Sequence, residues 1–323
     1  MSEVRKPCIV LTGPTAVGKT HLSLALARAL NGSIISADSM QVYRHMDIGS
    51  AKIRPEEMEG IPHYLIDVLE PEEDFNVMRF QELALAAMEE IYAAGRLPIL
   101  TGGTGFYIQA LLKKVDFSQT SGPLAERKRL EALAEEKGAL YLHHLLEERD
   151  PQAASEIHPH NVKRVIRALE FYQETGSPIS LHNQREKEKD SAFCSAYFVL
   201  NDQRDRLYRR IDQRVDQMIQ QGLVEEVQGL RDRGLTPDHV SMKGLGYKEL
   251  FPYLAGEISL EEAVEIIKRD TRHFAKRQLT WFRREPEVIW LNKADFDYDE
   301  EKILAYMLGI WEKKLAQEQQ VAD

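Results

Sequence analysis

Nothing in the 323-residue sequence approaches the length of an apolar membrane span, and the N-terminal MSEVRKP has no apolar core of the kind a signal peptide needs. These two absences make a cytoplasmic protein with no membrane contact the expectation. Cysteine is almost missing. Cys8 and Cys194 each sit in an apolar, strand-like run and read as buried small hydrophobes, so neither a disulfide nor a structural metal site is expected. An excess of positive charge is lacking too. The formal net charge of -10 excludes a protein coated in basic surface and shifts attention to where the basic residues fall. They fall unevenly, with seven Lys or Arg against one Asp between Lys268 and Arg284.

What is present begins with the stretch Gly13-Pro14-Thr15-Ala16-Val17-Gly18-Lys19-Thr20. It follows the apolar run Cys8 to Leu11 and precedes Leu22, Leu24, Leu26 and Leu30, so it reads as strand, glycine-rich loop, helix. That is the P-loop pattern in its expected context. Gly13 and Gly18 let the backbone wrap a phosphate, while successive N–H groups and the helix N-terminus face it with partial positive charge. Lys19 adds a full charge, and the Thr20 hydroxyl can hold a Mg²⁺ that bridges two phosphate groups. A turn that only caps a helix needs neither the strand before it nor the Lys-Thr pair.

Along the chain, Ser33 to Asp38 reads as a second buried strand that ends in a carboxylate, and Ser39, Met40 and Gln41 begin the next loop. In a doubly wound parallel sheet, ligands bind beyond the carboxyl ends of strands, which is where Asp38 falls. His63 to Val68 reads as a strand, Asn76 to Ala94 as a helix closed by Gly95, and Leu97 to Leu100 as a strand. The strand runs into Thr101-Gly102-Gly103-Thr104, a second glycine loop with two hydroxyls. From Lys114 to Ala192 the chain turns to charged helices, Pro123 to Lys137, Ala139 to Arg149 and His160 to Glu174, with Asn183 to Asp190 as a flexible return. Ser195 to Leu200 restores a strand. The reading is an α/β fold: a P-loop doubly wound parallel sheet core from 1–113 and 193–323, with a helical insertion at 114–192.

Two basic helices follow. Arg206, Arg210 and Arg214 are spaced by four on a helix from about Gln203 to Gln221, and Asp202, Asp205, Asp212 and Asp216 are available to neutralise most of its arginines. On Leu260 to Arg284, Leu260, Ile267, Phe274 and Trp281 form a seven-residue apolar seam, with Lys268, Arg272, Lys276 and Arg283 opposite and few acidic partners nearby. That basic face suits a polyanion. Val288 to Leu291 reads as a last strand, and a C-terminal helix runs to about Gln317.

These parts leave two chemistries open: a small-molecule kinase with ATP on the P-loop, or a transferase whose donor loses a phosphate chain to a nucleic-acid acceptor. A resemblance separates them. GPTAVGKT at 13–20, ISADSMQVYRHMDIGSAK at 35–52, LTGGTGFYIQALL at 100–112, HPHNVKRVIRALEFYQETG at 158–176, MKGLGYKEL at 242–250 and KRQLTWFRR at 276–284 occur in this order. Together they closely resemble the tRNA dimethylallyltransferase (tRNA isopentenyltransferase) family over about residues 8–291.

The resemblance implies transfer of a dimethylallyl group from dimethylallyl diphosphate to the exocyclic amine of the adenosine 3′ of the anticodon, in tRNAs reading U-initial codons, with Mg²⁺. It implies that Asp38 is the general base, with Ser39, Met40 and Gln41 beside the target base, that Thr104 stands at the reaction centre, and that Arg214 grips the diphosphate. The family's Gln-Arg-x-x-Arg element appears as Lys163-Arg164-Val165-Ile166-Arg167, whose leading Lys departs from the pattern. A phosphate contact survives that change better than a base-specific one. Further tRNA contacts are implied at Lys243, Gly244, Gly246, Tyr247 and Lys248, at Lys276, Arg277 and Arg283, and at Arg127. The insertion would grip the anticodon stem-loop, and a monomer is the default expectation.

Overall fold

Strands covered by helices on both faces must be apolar on both, and the strands here are. In the computed structural model, which describes residues 5–117 and 124–322, six strands form one sheet. They are β1 (Pro7–Thr12), β2 (Gly32–Ser36), β3 (His63–Tyr64), β4 (Leu97–Gly102), β5 (Cys194–Asn201) and β6 (Val288–Asn292). All pair in parallel, in the order β3-β2-β4-β1-β5-β6. Alternation sends Cys8 and Val10 of β1 into one core and Ile9 and Leu11 into the other. The expected doubly wound α/β sheet is therefore what the chain forms.

The chain divides into two compact units, Met1–Leu112 with Ala192–Asp323, and Lys113–Ser191. In the first, one face of the sheet packs on α2 (Val77–Ala93) and α3 (Gly105–Leu112), the other on α1 (Lys19–Ala29) and the C-terminal helix. Asn76 caps α2 by accepting the Arg79 N–H at 3.0 Å, and Phe80, Ala84, Ala87 and Ile91 are buried at the three-four spacing of the sequence. In the second unit, every described element is helical: α4 (Leu124–Lys137), α5 (Ala139–Arg149), α6 (Pro151–Glu156), α7 (Val162–Thr175) and α8 (Ile179–Glu188). Its own small core is built on Leu142, Leu146, Val165 and Ile166. The chain then adds α9 (Arg204–Gln220), α10 (Leu223–Asp232), α11 (Leu250–Leu254), α12 (Leu260–Phe282) and α13 (Glu300–Ala322) to the first unit. No described helix is long and apolar enough to cross a membrane.

Three expectations are corrected. The strand at His63 to Val68 stops at Tyr64, because Leu65 and Asp67 take φ of 61° and 54°, which ends an extended run. The polar run from Asn183 is not a flexible return over most of its length; its straight-chain residues continue α8 to Glu188, where Gln184 donates to Glu188 one turn on. On α12 the buried positions are Ala263, Ile267, Ala275, Gln278 and Phe282, with Leu260, Phe274 and Trp281 only half-buried. A seven-residue repeat drifts about 20° per heptad on a straight helix, so a strict seven-residue seam turns gradually off the buried face along α12. The helix expected from Pro123 is described from Leu124; Pro123 itself lies outside the described residues.

Candidate active site

The ends of β1, β2 and β4 come together because Thr12 stands opposite Gly102 and Ser36 opposite Thr101. The loops that follow these strands therefore share one edge of the sheet. After β1, Gly13 turns at φ 146°; a Cβ there would lie 2.3 Å from the Leu200 carbonyl oxygen, so only glycine can turn against β5 at this point. Ala16 and Gly18 have φ of 62° and 103°. Such left-handed residues in a short turn make successive amides converge into an anion-binding concavity at the start of α1.

Lys19 donates to the Gly13 and Pro14 carbonyls at 3.0 and 2.9 Å. Burial and the Arg214 guanidinium push its ammonium down to about 7, against the pull of Asp38. Arg214, on α9, is also held below its usual value by burial and by Arg210, with Asp38 again opposing. Asp38 follows β2, and its Oδ1 accepts the Met40 N–H at 2.8 Å, which orients the carboxylate through its own loop. Thr104 is tied to the same place, since its N–H donates to the Ala37 carbonyl at 3.3 Å.

These groups line one cleft of about 630 Å³, within the range that takes a diphosphate with a small organic group. Lys19, Thr20, Asp38, Thr104, Arg210 and Arg214 all face it. Ser39, Met40, Gln41, Lys243, Gly244, Gly246 and Lys248 line it too, as does Arg277. The arrangement is one carboxylate among several cations beside an amide cradle. Chemically it can bind a phosphate chain, stabilise charge that develops on it, and accept a proton a short way off. Among the described residues no three His, Cys, Asp or Glu cluster to cage a metal. The Thr20 hydroxyl instead suits a Mg²⁺ held mainly by substrate oxygens and water, the usual mode for that ion.

Elsewhere the outcome is mixed. Tyr247 is fully buried, and its hydroxyl donates to Glu226 at 2.7 Å, so its side chain has no surface to offer a macromolecule. Glu226 also accepts the N–H groups of Asp47, Ile48 and Gly49 at 2.8, 2.7 and 3.0 Å, which fixes the loop after Asp38. Gln41 accepts the Ser36 hydroxyl at 2.9 Å and is partly committed to its own loop. Lys276, Arg277 and Arg283 are exposed on α12, while Arg127, Lys163, Arg164 and Arg167 belong to the other unit. There Arg127 makes a two-pronged bond with buried Glu170 at 2.9 and 2.8 Å, Lys163 and Arg164 are exposed, and Arg167 is half-buried.

The acids of α9 do not mainly neutralise their own helix. Asp212 accepts from Arg272 at 2.5 Å and Asp216 pairs with Lys268 at 2.7 Å, both across to α12. The basic face of α12 is thus half-satisfied; Lys276, Arg277, Arg283 and Arg284 have no ion pair among the described residues, Arg277 lying over the Phe274 ring instead. Asp202 pairs with Arg206 at 3.5 Å, as expected. Three residues near the cradle escaped the sequence. Arg210 was visible only as one of a stripe. Gln278, inside the KRQLTWFRR stretch but given no role by it, bridges two loops, and Lys293, buried beside Gly18 and outside every motif, bonds Glu300 at 3.2 Å.

Comparison with known proteins agrees with this geometry. A tRNA dimethylallyltransferase of Lachnoclostridium phytofermentans is 57% identical over 309 residues, 96% of this chain and 98% of that one. The full-length tRNA isopentenylpyrophosphate transferase of Bacillus halodurans superposes with a TM-score of 0.73 at 45% identity, covering 98% of this chain and 99% of that chain. A eukaryotic dimethylallyltransferase acting on tRNA gives a TM-score of 0.77 at 32% identity, over 89% of this chain and 74% of its own. The family model for IPP transferase matches residues 41–285, which start beyond the P-loop and run through α12. With this extent of match and this identity to a curated relative, the chain belongs to the IPP transferase family.

Proposed function

We propose that this enzyme moves a dimethylallyl group from dimethylallyl diphosphate to the exocyclic amine of the adenosine on the 3′ side of the anticodon, in tRNAs that read U-initial codons, and releases diphosphate. The observation that carries the reading is the single carboxylate, Asp38, that lines the cleft together with Thr104 and the cations of the cradle. A kinase reading has no comparable use for the exposed basic residues of α12, and the family membership does not favour it.

The carbon–oxygen bond of the donor breaks while negative charge grows on the diphosphate. The P-loop amides, Lys19 and Arg214 meet that charge, and Arg210 joins them. Arg210 and Arg214 lie one turn apart with no carboxylate pairing either among the described residues, so they repel one another until an anion lies between them and α1. Thr20 would hold a Mg²⁺ there, which would supply further charge neutralisation. The target adenine is extruded from its stack, and Asp38 accepts a hydrogen bond from its amine and takes the proton as the carbon–nitrogen bond forms. That amine is a weak nucleophile, so orientation by Asp38, Thr104 and the Ser39 to Gln41 loop matters as much as proton removal.

For the RNA, we assign phosphate contacts to Lys243, Lys248, Lys276, Arg277 and Arg283, and to Lys163, Arg164 and Arg167 of the helical unit, with Arg127 acting through Glu170. Tyr247 serves by holding Glu226 and the loop at 47–49. A cytoplasmic monomer is part of the same reading.

Incubation with dimethylallyl diphosphate, Mg²⁺ and an unmodified anticodon stem-loop should yield prenylated adenosine by mass spectrometry. Phosphate transfer from ATP to a nucleoside, with no prenylated RNA, would overturn the assignment. Reversing the unpaired face with Lys276→Glu and Arg283→Glu should weaken stem-loop binding and lower the slope of log affinity against log salt by about two. Pyrophosphate affinity measured without RNA should not move. An unchanged salt slope would mean that this face is only solvated.

A further inference from the structure

Gln278 is a polar side chain that α12 buries, 6% exposed, between two loops of the cleft. Its Oε1 accepts the Thr15 N–H at 3.0 Å, and its Nε2 donates to the Gly103 carbonyl at 2.9 Å. The orientation of the amide is fixed by chemistry, since a backbone N–H only donates and a carbonyl only accepts. Gly103 is matched to this contact: a Cβ there would lie 2.1 Å from Gln278 Nε2. The residue after Thr15 is Ala16, whose φ of 62° is a left-handed conformation that a non-glycine residue keeps only where its surroundings hold it.

We propose that Gln278 is a positioning residue: it holds the P-loop in its phosphate-binding shape and ties that shape to the seating of α12, so that RNA and diphosphate bind with positive coupling. The inference rests on the tRNA and diphosphate reading above. The same helix that buries Gln278 presents Lys276, Arg277 and Arg283 to solvent. With Gln278 seated, Thr15 is held and Ala16 is kept in its turn. With it withdrawn, Ala16 relaxes towards the right-handed region and the amides cease to point at one anion. Those two loop arrangements are the bistable element. RNA that fixes α12 favours the seated arrangement, and linkage then requires diphosphate to favour RNA by the same factor.

Calorimetric titration of inorganic pyrophosphate, with and without an unmodified anticodon stem-loop, measures that factor. In the wild type the stem-loop should tighten pyrophosphate by about 5- to 150-fold. Gln278→Met keeps the side-chain volume and removes both hydrogen bonds. It should cut the factor to under about twofold, while stem-loop affinity alone stays within about threefold. Gly103→Ala, which evicts the amide from the other side, should do the same. A factor that survives in Gln278→Met, or one that is already unity in the wild type, overturns the proposal. Should neither variant fold, exchange of the Thr15 amide in the wild type decides: stem-loop alone should slow it, and unchanged exchange overturns the proposal. A wild-type protein that binds neither ligand would instead refute the functional assignment.

Discussion

Asp38→Asn should lower turnover by roughly a hundredfold or more while stem-loop affinity stays within about threefold. Asparagine keeps the shape of the side chain and its Oδ1 still accepts the Met40 N–H, so the loop after β2 should not move. What is lost is the charge and the capacity to take a proton. The comparison is therefore cleaner than Asp38→Ala, which also frees the Met40 amide. Single-turnover rates with the stem-loop saturating read the chemical step directly. A rate within about threefold of wild type would remove Asp38 from the reaction and leave Thr104 and the orientation of the amine as the whole of acceptor activation.

Much of this site is legible in the sequence because its chemistry sits in contiguous stretches. Gly13 to Thr20 and Asp38 to Gln41 each follow a short apolar strand, and in a parallel sheet that alone brings both to one edge. What sequence spacing does not carry is who pairs with whom across the fold. The basic run on α12 has few acids near it in sequence, yet Asp212 and Asp216 reach Arg272 and Lys268 from α9, which packs directly on α12 although Asp212 and Arg272 stand 60 residues apart in the chain. Tyr247 lies between two exposed lysines, Lys243 and Lys248, and only the position of Glu226 shows that its ring is core. Gln278 is the opposite case, a polar residue on a polar helix whose importance comes from the two backbone groups it meets. Local backbone conformation was hidden as well, since nothing in Leu65 or Asp67 announces a positive φ in place of a strand.

Diphosphate binding should take up close to one proton at pH 8.5, and Lys19 is the reason. Burial and Arg214 hold its ammonium down to about 7, so at that pH most molecules carry a neutral amine in the cradle. A bound diphosphate favours the charged form and restores the proton. The sign follows: affinity is fully expressed below about pH 7 and falls by up to one log unit per pH unit above it, towards the ordinary lysine value. Folding stability moves the other way over the same window, because the unfolded chain binds the proton that the folded one has released, so stability rises with pH there. Titrating pyrophosphate at pH 8.5 in two buffers of different ionisation enthalpy reads the uptake as the slope of apparent enthalpy on buffer enthalpy. Lys19→Met should bring the slope to zero and weaken binding at pH 7 by roughly thirtyfold, about 2 kcal/mol, the magnitude of a hydrogen bond to a charged partner. A wild-type slope near zero would mean that Lys19 is already an ammonium before the anion arrives, held by its bonds to Gly13 and Pro14 more firmly than burial opposes it.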